Sequence, residues 1–153
     1  MSVDVGSAAP DFSLRSQHGE DIALSSFRDS RNVVLVFIPF AFSGTCTSEL
    51  GEIRDHLDAF AAHDTQVLAV SCDHFFSNRA FSDSEGLTFP VLSDFWPHGE
   101  VSRAYGTFNA EAGAPNRGTY VIDSEGIVRW MVQVGIGERR DLSDVLAALA
   151  ELS

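Results

Sequence analysis

Lysine is absent from this chain of 153 residues, and all ten of its basic residues are arginines. Schiff-base chemistry and lysine-dependent phosphate loops are therefore excluded by residue type. The 22 acidic residues leave a formal net charge of −12, which argues against nucleic acid and anionic membranes as partners, because both need basic patches. Any anion that the protein stabilises must therefore interact with arginine, histidine, backbone amides or a helix end.

Long apolar runs are also missing, since none approaches the roughly 18 residues of a membrane-spanning helix. The first residues carry neither the basic region nor the long apolar region of a signal peptide. We therefore expect a cytoplasmic protein. The length and the absence of repeats or low-complexity linkers predict one domain over residues 1–153.

Cysteine occurs only twice, at Cys46 and Cys72, which is too few for a disulfide framework and lacks the C-x-x-C spacing of a dithiol redox motif. A structural zinc site would need four cysteine or histidine ligands, and the five histidines form no such pattern with the cysteines. We therefore expect no metal and no other cofactor.

What the sequence does contain is an apolar run at residues 33–38 that stops at Pro39 and is followed, after a short polar loop, by Cys46. Apolar side chains then recur with the spacing of a core-facing helix, at Cys46, Leu50, Ile53, Leu57, Phe60 and Ala61. This pattern predicts a cysteine in the first turn of a helix, just beyond the carboxyl end of a strand. The unpaired N–H groups and partial positive charge there favour thiolate over thiol. Cys46 is therefore the candidate nucleophile, and an inert buried thiol is the alternative.

The remaining patterns predict an α/β fold. Residues 9–24 alternate between apolar and polar side chains around a turn, which indicates an amino-terminal β-hairpin. The Cys46 helix is predicted to end around residues 63–64, and residues 109–116 to form an exposed loop. Further strands are predicted at residues 32–37, 66–71, 88–92, 117–123 and 127–132, and helices at 73–85, 100–105 and 142–152. This order indicates a mixed sheet that is parallel in its centre and antiparallel at one side, with helices on both faces.

Two residues of the loop before Cys46 suit a catalytic site. The Ser43 hydroxyl can donate to a bound oxygen and accept from a backbone amide. Pro39 removes one backbone donor and stiffens the loop, and we expect it to cover the sulfur from water on one side.

Residues 39–49 read Pro-Phe-Ala-Phe-Ser-Gly-Thr-Cys-Thr-Ser-Glu. This segment resembles the active-site signature of peroxiredoxins, Pro-x-x-x-Thr/Ser-x-x-Cys with a glutamate three residues later. Motifs at residues 6–12, 89–94 and 105–106 stand where that family places them, and residues 95–99 together with the absence of a long carboxyl extension are most similar to the one-cysteine AhpE group. The resemblance implies a thioredoxin-like three-layer sandwich and a thiol peroxidase that acts on hydrogen peroxide, alkyl hydroperoxides or peroxynitrite.

The resemblance also implies a peroxide site, formed by Pro39, Ser43, Cys46 and Arg117. In that family the cysteine thiolate attacks one peroxide oxygen and becomes a sulfenic acid. Ser43, Arg117 and the amides near Thr45 and Cys46 would hold the two oxygens. Glu49 one turn away repels a thiolate, and its presence is explained if it orients the arginine, as the family uses it.

Cys72 decides how the oxidised sulfur is recycled. It follows a buried strand at the same end of the predicted sheet as Cys46, so a two-cysteine peroxidase stays open as an alternative. It does not match the positions at which two-cysteine members carry a resolving thiol, since position 51 is Gly51 and the carboxyl-terminal residues contain no cysteine. We therefore expect one-cysteine turnover with an external reductant, which would be a low-molecular-weight thiol, a glutaredoxin-like protein or thioredoxin.

Other classes of function compete with the peroxidase. A disulfide or methionine-sulfoxide reductase would share the fold, but the missing C-x-x-C motif counts against it. A redox sensor or chaperone would use oxidation of Cys46 as a switch with little turnover. The resemblance further implies a homodimer or a higher oligomer that forms through the loops around the active site.

Overall fold

The computed structural model describes residues 3–152, which form nine strands and five α-helices. The strands are β1 (Ser13–Arg15), β2 (Asp21–Ala23), β3 (Asn32–Phe37), β4 (Thr65–Ser71), β5 (Val91–Ser93), β6 (Phe108–Asn109), β7 (Ala114–Pro115), β8 (Arg117–Ile122) and β9 (Val128–Val134). The helices are α1 (Gly44–Asp55), α2 (Leu57–Ala61), α3 (Phe75–Glu85), α4 (Glu100–Ala104) and α5 (Leu142–Ala150), and a short 3-10 helix spans Leu24–Phe27.

Seven of the strands form one mixed sheet in the order β2-β1-β5-β4-β3-β8-β9. The central strands β3, β4 and β5 are parallel, as the order of the predicted elements indicated. Antiparallel pairs close the sheet at both edges, β1 with β2 at one and β8 with β9 at the other. The prediction of an antiparallel region at one side only was therefore wrong, because the amino-terminal hairpin joins the sheet through the pairing of Arg15 with Ser93.

Buried side chains form one apolar cluster on each face of the sheet, because neighbouring residues of a strand point to opposite faces. One cluster joins Val34 and Val36 of β3 to α1, α2, α3 and α5. The other joins Val33 and Leu35 of the same strand to α4 and to the amino-terminal segment. Helices therefore cover both faces, and the predicted α/β sandwich is confirmed.

The predicted Cys46 helix is interrupted at His56. Its amide donates to the Ile53 carbonyl at 3.0 Å, three residues back, and its ring Nδ1 lies 2.8 Å from the Glu52 carbonyl oxygen. These bonds tighten the last turn and end α1, so that α2 follows as a separate helix.

The predicted exposed loop at residues 109–116 is also wrong. β6 and β7 pair there as a small antiparallel hairpin, and Ala114 is buried. The Asn109 side chain accepts from the amides of Glu111 and Ala112 at 3.1 Å and so shapes the turn between the two strands.

Within residues 3–152, no helix is both long enough and apolar enough to cross a membrane.

Candidate active site

The carboxyl end of β3 and the start of α1 place Cys46. Ser43 is the N-cap of α1, and its hydroxyl oxygen accepts the Cys46 N–H at 3.2 Å. Cys46 therefore lies in the first turn of the helix, as predicted, and its side chain is buried in the apolar cluster between α1 and the sheet. The amides of Gly44 and Thr45 have no acceptor within the helix and contribute to the positive end of its dipole.

Arg117 reaches the cysteine from the other side of the site. The strand that it begins, β8, pairs antiparallel with β3, and its residues alternate so that Arg117 lies on the same face as Val121, which packs in the α1 cluster. Arg117 is 2% exposed, and its Nη1 donates to Cys46 Sγ at 3.1 Å. Arg117 therefore brings a fixed positive charge into direct contact with the sulfur.

Glu49 accepts from the same Arg117 nitrogen and fixes it. Arg117 Nη1 lies 2.6 Å from Glu49 Oε1, and Arg117 Nε donates to the Ile136 carbonyl at 2.8 Å. The guanidinium is therefore held by a carboxylate of α1 and by a backbone oxygen of the segment after β9. The resemblance to peroxiredoxins implied that Glu49 orients the arginine. In the structure Glu49 does contact Arg117.

A second arginine, Arg140, completes the cluster, and the sequence alone did not identify it. Its Nη2 donates to Glu49 Oε1 at 2.9 Å, and its Nε and backbone N donate to Oε2 at 3.1 and 2.8 Å. Its Nη1 donates to the Gly118 carbonyl and to Thr119 Oγ1 on β8. Arg140 therefore ties α1, β8 and the segment before α5 together through side-chain and backbone contacts.

Glu49 is ionised in this setting although it is 5% exposed. Burial raises the pKa of the Glu49 carboxyl, but the bonds and charge of Arg140, together with the charge of Arg117, outweigh burial and hold this pKa below its ordinary value. One carboxylate and two guanidinium groups leave a net positive charge beside the sulfur.

The loop before α1 contains a buried proline and two exposed aromatic residues, and the sulfur that follows it is closed to solvent. Pro39 is buried two residues beyond β3, whereas Phe40 and Phe42 are 44% and 54% exposed. Cys46 itself is 0% exposed, so a peroxide reaches Sγ only when neighbouring side chains move. Thr45 is half-buried in the first helical turn, beside the cysteine in sequence.

Cys72 lies on the opposite face of the sheet from Cys46. Along β4, Val67 and Ala69 pack in the α1 cluster while Leu68 and Val70 pack in the α4 cluster, and the alternation continues to Cys72. Its neighbours include Ser102 of α4 and Asp94, the residue that follows β5. Burial raises the pKa of Cys72 to about 12, with a further contribution from the Asp94 carboxylate and a partly offsetting bond to Ser102. Both cysteines are free thiols.

Metal binding finds no support among residues 3–152, where no group of three or more His, Cys, Asp and Glu side chains is placed to hold an ion.

Comparisons with known proteins show what the whole chain is similar to. Residues 5–131 match the AhpC/TSA family. The chain is 47% identical over 150 residues to alkyl hydroperoxide reductase E of Mycobacterium tuberculosis, with 96% of this chain and 98% of that protein covered. Among solved structures, peroxidoxin BcpB of Mycobacterium tuberculosis superposes with a TM-score of 0.86 at 26% identity and 99% coverage of both chains. The reduced 2-Cys peroxiredoxin of Plasmodium vivax shares the fold, with a TM-score of 0.89 at 23% identity, covering 98% of this chain and 82% of that one.

The buried Glu49 carboxylate predicts a specific acid sensitivity. Because its folded-state pKa is lowered, its contribution to stability is fully present above the unfolded pKa of about 4.3 and is lost as the pH falls through the lower folded value. Glu49→Gln leaves two arginines without their carboxylate, and we expect it to lower the free energy of unfolding by about 3 kcal/mol at neutral pH. Urea titrations at about pH 6 and about pH 3 measure the free energy of unfolding. Its decrease on acidification should be smaller in the variant than in the wild type.

Glu52→Gln is the matched control, because Glu52 lies one turn further along α1 and pairs with Arg139 near the surface. An exposed pair of this kind contributes less than about 1 kcal/mol to the free energy of unfolding. Its removal should therefore leave the decrease of that free energy on acidification as it is in the wild type. Equal effects of the two substitutions would contradict the assignment of the acid response to Glu49.

Proposed function

The chain belongs to the AhpC/TSA family of thiol peroxidases, and we propose that it reduces peroxides through Cys46 and is restored by an external thiol. The observation that carries this proposal is the contact of 3.1 Å between Arg117 Nη1 and Cys46 Sγ. A buried sulfur beside a guanidinium at a helix start is activated as a nucleophile.

In the first step the Cys46 thiolate attacks one oxygen of the peroxide. An S–O bond forms, the O–O bond breaks, and sulfur is oxidised to a sulfenic acid while the peroxide is reduced. The departing oxygen takes up one proton and leaves as water from hydrogen peroxide, or as an alcohol from an alkyl hydroperoxide. Negative charge thus moves from sulfur to the leaving oxygen, and fixed donors at that position lower the barrier.

We assign the donors as follows. Arg117 uses Nη1 and Nε in the bonds described above, and its Nη2 is assigned to the peroxide oxygens. The Ser43 hydroxyl can accept the Cys46 amide and still donate its own hydrogen to a bound oxygen. The amides of Gly44 and Thr45 supply further donors at the helix start. Pro39 contributes no N–H and limits water near the sulfur.

In the second stage an external thiol attacks the sulfenic acid and releases water, giving a mixed disulfide that a further thiol resolves. Two observations support an external reductant over Cys72: the opposite orientation of the two cysteines on the sheet, and the raised pKa of Cys72, which keeps it a thiol near neutral pH. We propose the cytoplasm as the compartment, since thiol reductants are abundant there and both cysteines are free.

We also propose that the protein forms a homodimer or a higher oligomer through an exposed aromatic surface, defined by Phe40, Phe42, Phe76, Phe95 and Trp96. Trp96 is 81% exposed and Phe76 is 65% exposed. The His74 ring joins part of this surface, with its centroid 5.1 Å from Phe76 and 5.2 Å from Phe95. Exposed aromatic side chains that lie together are typical of interaction surfaces.

Stopped-flow fluorescence tests the peroxidase directly, with Trp96 and Trp130 as reporters of peroxide addition. Cys46→Ser should abolish the fast phase. Arg117→Met removes the cation beside the sulfur and should lower the second-order rate constant by about 100-fold or more, whereas Arg79→Met, at an exposed arginine of α3, should not change it. The peroxidase proposal fails if hydrogen peroxide oxidises Cys46 no faster than it oxidises free cysteine.

Intact mass measurement after one equivalent of hydrogen peroxide tests the one-cysteine route. We expect a gain of one oxygen, from sulfenic acid at Cys46, and the same product in Cys72→Ser. Turnover of Cys72→Ser with an external thiol should equal that of the wild type. Loss of two hydrogens in the wild type, or loss of turnover in the variant, would instead assign Cys72 as a resolving cysteine.

Sedimentation velocity tests the aromatic surface. Trp96→Arg places a charge at the most exposed aromatic residue and should shift the assembly toward monomer. Val5→Arg is the control, because Val5 is 58% exposed beside β9, at the sheet edge opposite to β1 and β5. An unchanged sedimentation coefficient in Trp96→Arg, or an equal shift in Val5→Arg, would exclude this surface as the contact.

A further inference from the structure

The loop that leads into Cys46 contains a turn with an unusual backbone conformation. Ser43 N donates to the Phe40 carbonyl at 3.3 Å, which closes a four-residue turn over residues 40–43. Phe42, the third residue of this turn, has φ +70°, in the left-handed region that favours glycine. Contacts outside the turn must therefore hold this conformation.

Two such contacts come from the segment around α3. Asp73 Oδ2 accepts the Ala41 N–H at 2.8 Å, which satisfies an amide that the turn itself does not use. The Phe42 ring packs edge-on against Phe81 of α3, with 5.2 Å between centroids. Phe81 is fully buried, so α3 offers a rigid support for the turn.

Asp73 is itself held through its backbone by the ends of two strands, one of which is bonded in turn to α3. Its amide donates to Ser71 Oγ at the end of β4, and its carbonyl accepts from Ser93 Oγ at the end of β5 at 2.6 Å. The Ser71 hydroxyl in turn donates to Oδ1 of Asn78, a buried residue of α3. The backbone of Asp73 is therefore anchored to the ends of β4 and β5, and from this anchor the carboxylate reaches Ala41.

We propose that Asp73 is a positioning residue for the Cys46 site, an inference that rests on the proposed peroxidase function. By accepting from Ala41 it fixes the turn over residues 40–43, whose last residue caps α1 and bonds the Cys46 amide. The direction of the Ser43 hydroxyl, and hence of one donor to the peroxide, depends on this turn. Donors that are placed in advance lower a barrier more than donors that must be ordered during the reaction.

Two variants of Asp73 separate its positioning of the turn from a general electrostatic effect on the rate. One variant keeps the shape of the side chain and the other keeps its charge. Asp73→Asn keeps an oxygen that can accept the Ala41 amide but removes the charge, and should retain the wild-type rate of Cys46 oxidation within about threefold. Asp73→Glu keeps the charge but displaces the acceptor by one methylene. Together with Asp73→Ala, it should lower the second-order rate constant with hydrogen peroxide by about tenfold, as expected from loss of one hydrogen bond to a charged acceptor.

Asp83→Ala is the matched control, since Asp83 is an exposed aspartate of α3 and its removal changes the net charge equally. We expect no change in rate. Hydrogen exchange of the Ala41 amide, followed by NMR, should accelerate in Asp73→Ala and Asp73→Glu and stay slow in Asp73→Asn. If Asp73→Ala does not fold, the Asn and Glu pair decides the question alone.

The two proposals fail in different ways. If the wild type reacts with hydrogen peroxide no faster than free cysteine, the peroxidase proposal falls, while Ala41 exchange still reports on the turn. If the wild type reacts rapidly and Asp73→Ala or Asp73→Glu equals it, Asp73 has no positioning role. A rate in Asp73→Asn as low as that in Asp73→Ala would assign the effect to charge and would also overturn the inference.

Discussion

The site depends on one buried guanidinium that is shared between a sulfur and a carboxylate. Arg117 Nη1 lies 3.1 Å from Cys46 Sγ and 2.6 Å from Glu49 Oε1, and all three side chains are nearly or fully buried. Burying these charges is costly unless each is paired and hydrogen-bonded. Arg140 meets this requirement by giving Glu49 three further donors, so that Arg117 is held without its charge being fully neutralised.

Arginine suits this arrangement better than lysine, which the chain lacks. The planar guanidinium of Arg117 donates from Nε to Ile136 and from Nη1 to the sulfur and Glu49, so its orientation is fixed by groups on two segments. A lysine ammonium is a rotating point charge with no such fixed directions. The sheet makes the arrangement possible, because the antiparallel pairing of β8 with β3 brings Arg117 to the end of the sheet where α1 begins.

The sequence predicted the elements whose patterns are local. The apolar run before Pro39 and the helical spacing after Cys46 identified β3 and α1, and the signature around Cys46 led through family resemblance to Ser43 and Arg117. Arg140 could not be found in this way. It lies in a segment between β9 and α5 that has no periodicity, and its role arises from the packing of that segment against α1. The one available signal was the pair of adjacent arginines at positions 139 and 140 in an acidic chain.

The orientation of Cys72 is a second feature that the sequence alone could not predict, and it has a chemical consequence. The alternation of β4 can be read from the sequence, but both faces of the strand are apolar, so nothing in the pattern shows which face α1 covers. Once the structure shows α1 on the face of Val67 and Ala69, Cys72 must point toward α4. A sulfenic acid at Cys46 then lies in the α1 cluster, whereas the second thiol lies among groups of the opposite face, which include Ser102 of α4. Bridging the two would require Cα atoms within about 7 Å and side chains that point toward each other. The architecture therefore favours attack on the oxidised sulfur by a thiol from outside the chain.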